Sequence, residues 1–368
     1  MRMRFYTRLF LLIVTALLMS VQVYAQAPAT GSLPALPESD AILYINARRI
    51  INDALPRILP AAQYAKVKTE LDDVKKKTGI DINGFESGVL ALRFGKPITA
   101  TPDFVFVTRG TFNADALVSL ARIGLQGKIR EEKYGSKSIN IFKLSDVMGA
   151  DGAKVVPGGL DEIAGTALDG NTLALGTLSF LKATIDAEAG QKRISPELTA
   201  LAMRDPGALI SLAINIPPGA FSSLVPSEMQ GNEEIGKLIA GIENFSLSLG
   251  MNATDFPLMA AVRTASAEHA HTLSGILEMG IRAAGSSMKD KKAQAMLDAL
   301  KITNEGSSVQ VQIAIPQETV ATLIREASQP KAESPVFIST KEPPKEVKPP
   351  AAKAKRAPQR KTTKAKKP

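Results

Sequence analysis

The chain has 368 residues, 45% of them hydrophobic, and a formal net charge of +9. That charge is unevenly placed: residues 1–25 hold three arginines and no acid, residues 331–368 hold twelve lysines or arginines against three acids, and the stretch between is left with 30 basic and 33 acidic residues. A mildly acidic body does not fit nucleic-acid recognition, and the absence of cysteine removes disulfides, thiol nucleophiles, Cys-ligated zinc and a lipidated-cysteine anchor.

Residues 1–25 read as a secretory signal: Arg2, Arg4 and Arg8 precede an apolar run, Leu9 to Met19, that is short for a membrane span, and Val23-Tyr24-Ala25 offers a cleavage site. Residues 26–39 form a linker marked by Pro28, Pro34 and Pro37. Ala41 to Asn46 is a predicted strand, and Ala47 to Leu55 a helical segment stopping near Pro56. Ala61 to Thr78 follows as a helix with Tyr64, Val67, Leu71 and Val74 on one side and Gly79 as its left-handed cap. Phe85 to Phe94 is a strand. Asp103 to Gly124 is a strand and then a helix, with Asn113 as N-cap and Leu117, Leu120, Ala121 and Gly124 as a stripe expected to pack in the core. Ser138 to Leu144 is a strand, Val147 to Gly165 a Gly-rich loop, Thr172 to Gly176 a strand and Leu178 to Ala189 a helix.

The remainder repeats this order. Ala208 to Asn215 matches the first strand and Phe245 to Met251 the second. Asp255 to Gly280 repeats the strand and helix, with Leu273, Ile276, Leu277 and Gly280 in the core-facing places. A helix over Lys289 to Leu300, strands over Lys301 to Thr303 and Val309 to Ile315, and a helix over Gln317 to Ala327 complete it. Even the closing helices share wording, Ala183-Thr184-Ile185 against Ala321-Thr322-Leu323. The expected fold is therefore α+β: two related units, 40–195 and 196–328, of mainly antiparallel strands with helices packed on one face. Residues 329–368, rich in Lys, Pro and Ala, have the composition of a disordered tail.

Several motifs fail on chemistry. His269 and His271, the only histidines, lie two apart on a predicted helix and diverge by about 200°, so they do not share a metal. Ser179 to Lys182 and Ser286 to Lys289 match S-x-x-K and Lys77-Thr78-Gly79 spells K-T-G, but in the wrong order for a penicillin-recognising enzyme. Gly231 to Lys237 fits G-x-x-x-x-G-K, yet Leu238 stands where a magnesium-binding hydroxyl belongs. The acidic pairs Asp72-Asp73, Glu131-Glu132 and Asp161-Glu162 read as solvated faces, and no cofactor motif is present. No catalytic or metal-binding residue is assigned. Arg109 and Arg263 occupy matching strand ends and are the candidates for a shared anion-binding cleft. In the tail, Lys353, Lys355, Arg356, Arg360, Lys361, Lys364, Lys366 and Lys367 are the candidates for contact with an anionic envelope polymer or lipid surface.

The opening Leu33-Pro-Ala-Leu-Pro-Glu-Ser-Asp-Ala-Ile-Leu-Tyr-Ile-Asn46 and the later Lys77-Thr-Gly-Ile-Asp-Ile-Asn-Gly-Phe-Glu-Ser-Gly-Val-Leu-Ala-Leu92 resemble those of exported bacterial proteins of uncharacterised function with a duplicated α+β unit. The resemblance covers roughly 33–328 and implies export and architecture, with no catalytic residue to carry over. The function expected is an exported, non-catalytic binding or scaffolding protein of the cell envelope. The alternatives are a hydrolase with an unsignalled carboxylate or Ser/Lys site, and a carrier of a small hydrophobic ligand.

Overall fold

The computed structural model describes residues 33–95, 101–125, 127–146, 160–217, 233–287 and 291–328. The strands are β1 (Ala41–Ile45), β2 (Phe85–Arg93), β3 (Asp103–Gly110), β4 (Arg130–Tyr134), β5 (Lys137–Lys143), β6 (Glu162–Asp169), β7 (Thr172–Gly176), β8 (Ile210–Asn215), β9 (Ile242–Leu249), β10 (Asp255–Thr264), β11 (Lys301–Glu305) and β12 (Ser308–Pro316). All twelve pair antiparallel in one sheet, in the order β11-β12-β10-β9-β8-β1-β2-β3-β7-β6-β5-β4. The helices are α1 (Ala61–Thr78), α2 (Ala114–Gly124), α3 (Leu178–Glu188), α4 (Pro196–Ala202), α5 (Glu233–Ala240), α6 (Ala267–Ser287), α7 (Lys291–Asp298) and α8 (Gln317–Ser328). Short helical turns over Ala47–Arg49, Ile50–Ala54 and Leu55–Ile58 connect β1 to α1. Pro56 does not stop this connector. It sits in the first turn of Leu55–Ile58, where its missing N–H costs no hydrogen bond.

Side chains directly opposite each other on paired strands share a face. One row across the sheet is Ile141, Ala164, Gly176, Val105, Ala91, Ile42, Ala213, Ser246 and Ala261, and every member is buried. On this first face Phe180, Leu181 and Ile185 of α3 and Leu198 and Ala202 of α4 complete the larger core. The neighbouring row points the other way: Leu175, Phe106, Leu90, Leu43, Leu212 and Leu247. On this second face Ala54 and Ile58 of the connector and Val320 of α8 pack with Leu209, Ile210, Leu249, Phe256, Ile313 and Ile315 as a separate core. Helices therefore lie on both faces of the sheet, not on one as the sequence reading had it. The cause is visible in the strands: Ala41 to Ile45 and Val89 to Leu92 are apolar at successive positions, so both faces need cover.

Outward from the central β1–β8 pair the strands run β1-β2-β3-β7-β6 on one side and β8-β9-β10-β12-β11 on the other, with the β4–β5 hairpin added beyond β6. The closing helices break this agreement, because α3 packs on the first face and α8 on the second.

The strand-and-helix stretch forms where expected. Asn113 caps α2 by accepting a hydrogen bond from the Ala116 amide, and Gly79 ends α1 at φ 74°. The expected packing of the two stripes follows only in part, since Leu117, Leu273 and Leu277 are half-buried. Ala114 of α2 and Ala270 of α6 are buried, but Leu120 and Ile123 are 40% and 72% exposed, and Ile276 and Met279 are 38% and 65% exposed. Each helix is seated by its first turn and by polar bonds, Arg122 to Asn140 and Asn304 to Ser274.

Candidate functional site

Arg109 and Arg263 do not share a cleft. Five antiparallel steps separate β3 from β10, about 24 Å at the usual strand spacing, and the odd number of steps sends the two strand ends to opposite rims. Arg109 directs Nε to the Thr172 hydroxyl at 3.4 Å, beside Glu188. Burial pushes the Glu188 carboxyl up, Lys137 and Arg109 oppose this, and Asp169 adds to it. Arg263 bridges two carboxylates, Glu197 at 2.7 Å and Glu243 at 3.4 Å. The tail cations from Lys353 to Lys367 lie outside the described residues.

One polar node centred on a carboxylate was not singled out from sequence. Asp103 opens β3 and accepts from Arg93 at 2.6 Å, from the Ser179 hydroxyl at 2.6 Å and from Thr177 at 3.0 Å. Burial alone would raise this carboxyl; the hydrogen bonds from Ser179, Arg93 and Thr177 outweigh it and hold the group below the usual carboxylate range. Arg93 also lies 4.9 Å from the centre of the Phe180 ring. The node joins the start of β3 to the start of α3. A signal existed in the sequence: Thr177 and Ser179 stand at the helix start that follows a strand, where hydroxyls seek partners.

The same geometry dismantles one S-x-x-K match. Ser179 is bonded to Asp103, while Lys182, one turn on, is ion-paired with Glu132 and lies 5.4 Å from the Tyr134 ring centre. Tyr134 in turn donates to Asp186 at 2.9 Å, which raises its phenol, and the set fastens the edge strand β4 to α3. In the other match Lys289 lies outside the described residues. Lys77-Thr78-Gly79 is a helix end, and Gly236 and Lys237 fall inside α5. His269 Nδ1 is buried against Gly241 without a hydrogen-bond partner, and His271 is exposed. The acidic pairs disperse: Glu131 pairs with Arg122 and Glu132 with Lys182, while Asp73 pairs with Lys77 and Glu162 with Arg130. Among the described residues no three His, Asp or Glu side chains converge to hold a metal, and no helix is long and apolar enough to cross a membrane.

No family model and no curated protein matches the chain. Solved structures similar to it include crystal forms III, IV and I of TP0453, each at 11% identity, with TM-scores of 0.40, 0.41 and 0.38. They cover 82%, 80% and 82% of this chain and 100%, 97% and 98% of theirs. A likeness at this level carries no argument about a ligand or an activity.

Proposed function

We propose that this is an exported, non-catalytic binding protein of the bacterial envelope, held at anionic surfaces by its cationic tail. What carries the non-catalytic part is how the reactive-looking groups are engaged. Ser179 is committed to Asp103, Lys182 to Glu132, and Arg263 to Glu197 and Glu243. Asp103 is within reach of the Ser179 hydroxyl, but a carboxyl held below its usual range by Ser179, Arg93 and Thr177 is a poor acceptor for a hydroxyl proton, and a general base works best with a pKa near the working pH. Lys182 and Arg263 are each ion-paired to carboxylates on other elements.

The tail reading rests on composition. Twelve cations against three acids over residues 331–368 favour any polyanion through counterion release, and the attraction fades with salt. The signal-like residues 1–25 make envelope polymers and lipid headgroups the relevant polyanions. We further read 40–195 and 196–328 as copies of one unit, supported by the shared strand order outward from β1 and β8.

The test is pelleting with phosphatidylglycerol vesicles, comparing residues 26–368 with 26–328. The longer chain is expected to pellet at low salt and to be released at high salt, and the shorter chain to stay in solution. Equal pelleting of both chains removes the tail as the anchor.

A further inference from the structure

Strand β11 ends the sheet on one side and, among the described residues, pairs with β12 alone. The ladder fixes which of its backbone groups face outward. The Thr264 amide donates to the Ser307 carbonyl, so Ser307, Val309 and Val311 aim their backbone groups at β10, and Ser308, Gln310 and Gln312 aim theirs at β11. Opposite these last three stand Glu305, Thr303 and Lys301, which therefore face inward. The amides and carbonyls of Ile302 and Asn304 point away from the sheet. Gly306, at φ 57°, closes the β11–β12 hairpin in two residues and holds this register.

This edge is accessible: Lys301, Thr303, Asn304 and Glu305 are exposed and Ile302 is half-buried. Helix α7, which leads into the strand, packs Met296 on the second core, as does Leu300 just before β11. On the face shared by Ile302 and Asn304, Asn304 Nδ2 donates to the Ser274 hydroxyl of α6 at 2.8 Å. Lys301, Thr303 and Glu305 share the other face, where Gln310 donates to Glu305 at 2.8 Å. An accessible edge with unpaired backbone groups is a template for a further strand.

We propose that β11 docks on the β11 of a second copy of this chain, antiparallel about a two-fold axis at Thr303. Charge and register together select this occupant. Outward residues must stand opposite outward residues. An axis at Thr303 sets Ile302 against the partner's Asn304 and Asn304 against the partner's Ile302, which uses all four outward groups of each edge. It also sets Lys301 against the partner's Glu305 and Glu305 against the partner's Lys301, at positions where facing side chains come closest. An axis at Ile302 or at Asn304 forms neither ion pair. The other rim is built against such pairing. The Leu144 amide donates to the Asp161 carbonyl, and by the same reasoning Glu131 and Lys133 of β4 face outward. A two-fold axis at Glu131, Glu132 or Lys133 sets that residue against its own charge. Head-to-tail pairing of β4 with β11 brings at most one ion pair directly opposite in any register. The two-fold pair has two and closes on itself. The proposal adds a partner to the body and is independent of the tail.

The experiment is sedimentation velocity of residues 26–368 over about 1–500 µM, since five residues a side make a small contact and a weak dimer. A monomer–dimer equilibrium without larger species is expected. Lys301→Glu and Glu305→Lys, each at an exposed position, put like charges opposite one another and are expected to weaken association by about tenfold or more. Mixed in equal amounts, the two variants carry complementary edges and are expected to form a dimer together. Circular dichroism confirms that each variant is folded. A parent that stays monomeric throughout overturns the proposal, and so does growth into larger species, the mark of head-to-tail pairing. Dimerisation unchanged in both variants, or variants that do not rescue each other, overturns it as well. Vesicle pelleting reports the tail separately, so each reading fails on its own.

Discussion

A single carboxylate shows how this fold uses its polar groups. Asp103 accepts three side-chain hydrogen bonds at the junction of β3 and α3, and its pKa is depressed despite partial burial. A depressed carboxyl contributes stability above its unfolded pKa, and that contribution is lost as pH falls through the folded value. Asp103→Ala is therefore expected to cost about 1–2 kcal/mol at neutral pH, allowing for solvent screening of the Arg93 pair. The deficit should shrink as pH falls below the normal carboxylate range, because the parent loses the same interaction there. Denaturant midpoints of parent and variant at neutral and strongly acid pH measure this. A deficit that does not change with pH would assign the cost to packing rather than to charge. Glu188 has the opposite sign: burial raises it, so its ionised form weighs against the fold at neutral pH.

At the scale of elements, the sequence was most legible where apolar periodicity met a capping residue. Ala61–Thr78, with Gly79 as cap, and the short apolar run of Thr172–Gly176 were readable to the residue. Two strands were not. β4 is Arg-Glu-Glu-Lys-Tyr, with no alternation to detect, and such charge suits a sheet edge that must not recruit another strand. β6 begins inside the Gly-rich run and was read as loop because its small residues, Ala164, Gly165 and Ala167, lack β-branched bulk. The candidate site was less legible still, because matching positions of Arg109 and Arg263 in sequence say nothing of strand direction. The stripes of α2 and α6 were misjudged for a physical reason: periodicity reports which side of a helix is apolar, not whether anything covers it. The contrast is measurable. Phe180→Ala, at a fully buried site on α3, is expected to cost about 3–5 kcal/mol, and Ile123→Gln on α2 less than about 0.5 kcal/mol. Comparable losses in urea unfolding would mean that α2 is packed after all.

The whole molecule is organised about the pairing of β1 with β8, and this bears on whether the two sequence halves are separable. Leu43 stands opposite Leu212 and Ile42 opposite Ala213, while α4, which follows the first half in sequence, packs against both central strands. The Asn215 amide donates to the Asp40 carbonyl, and the Asn46 amide to that of Leu209, so each end of the central pair is closed by a bond between the halves. Ending the chain at residue 203 would leave β1 as an apolar edge and strip α4 of β8. An edge of that kind recruits other chains. Residues 26–203 are therefore expected to elute as oligomers or precipitate. Residues 26–328 should unfold in one transition, with tyrosine fluorescence and circular dichroism coincident, since the sheet offers no seam at which half of it melts alone. Two resolved transitions, or a monomeric and cooperatively folded 26–203, would instead make each half a self-sufficient domain. The central pair, with Leu43 opposite Leu212, would then be a docking contact between finished units.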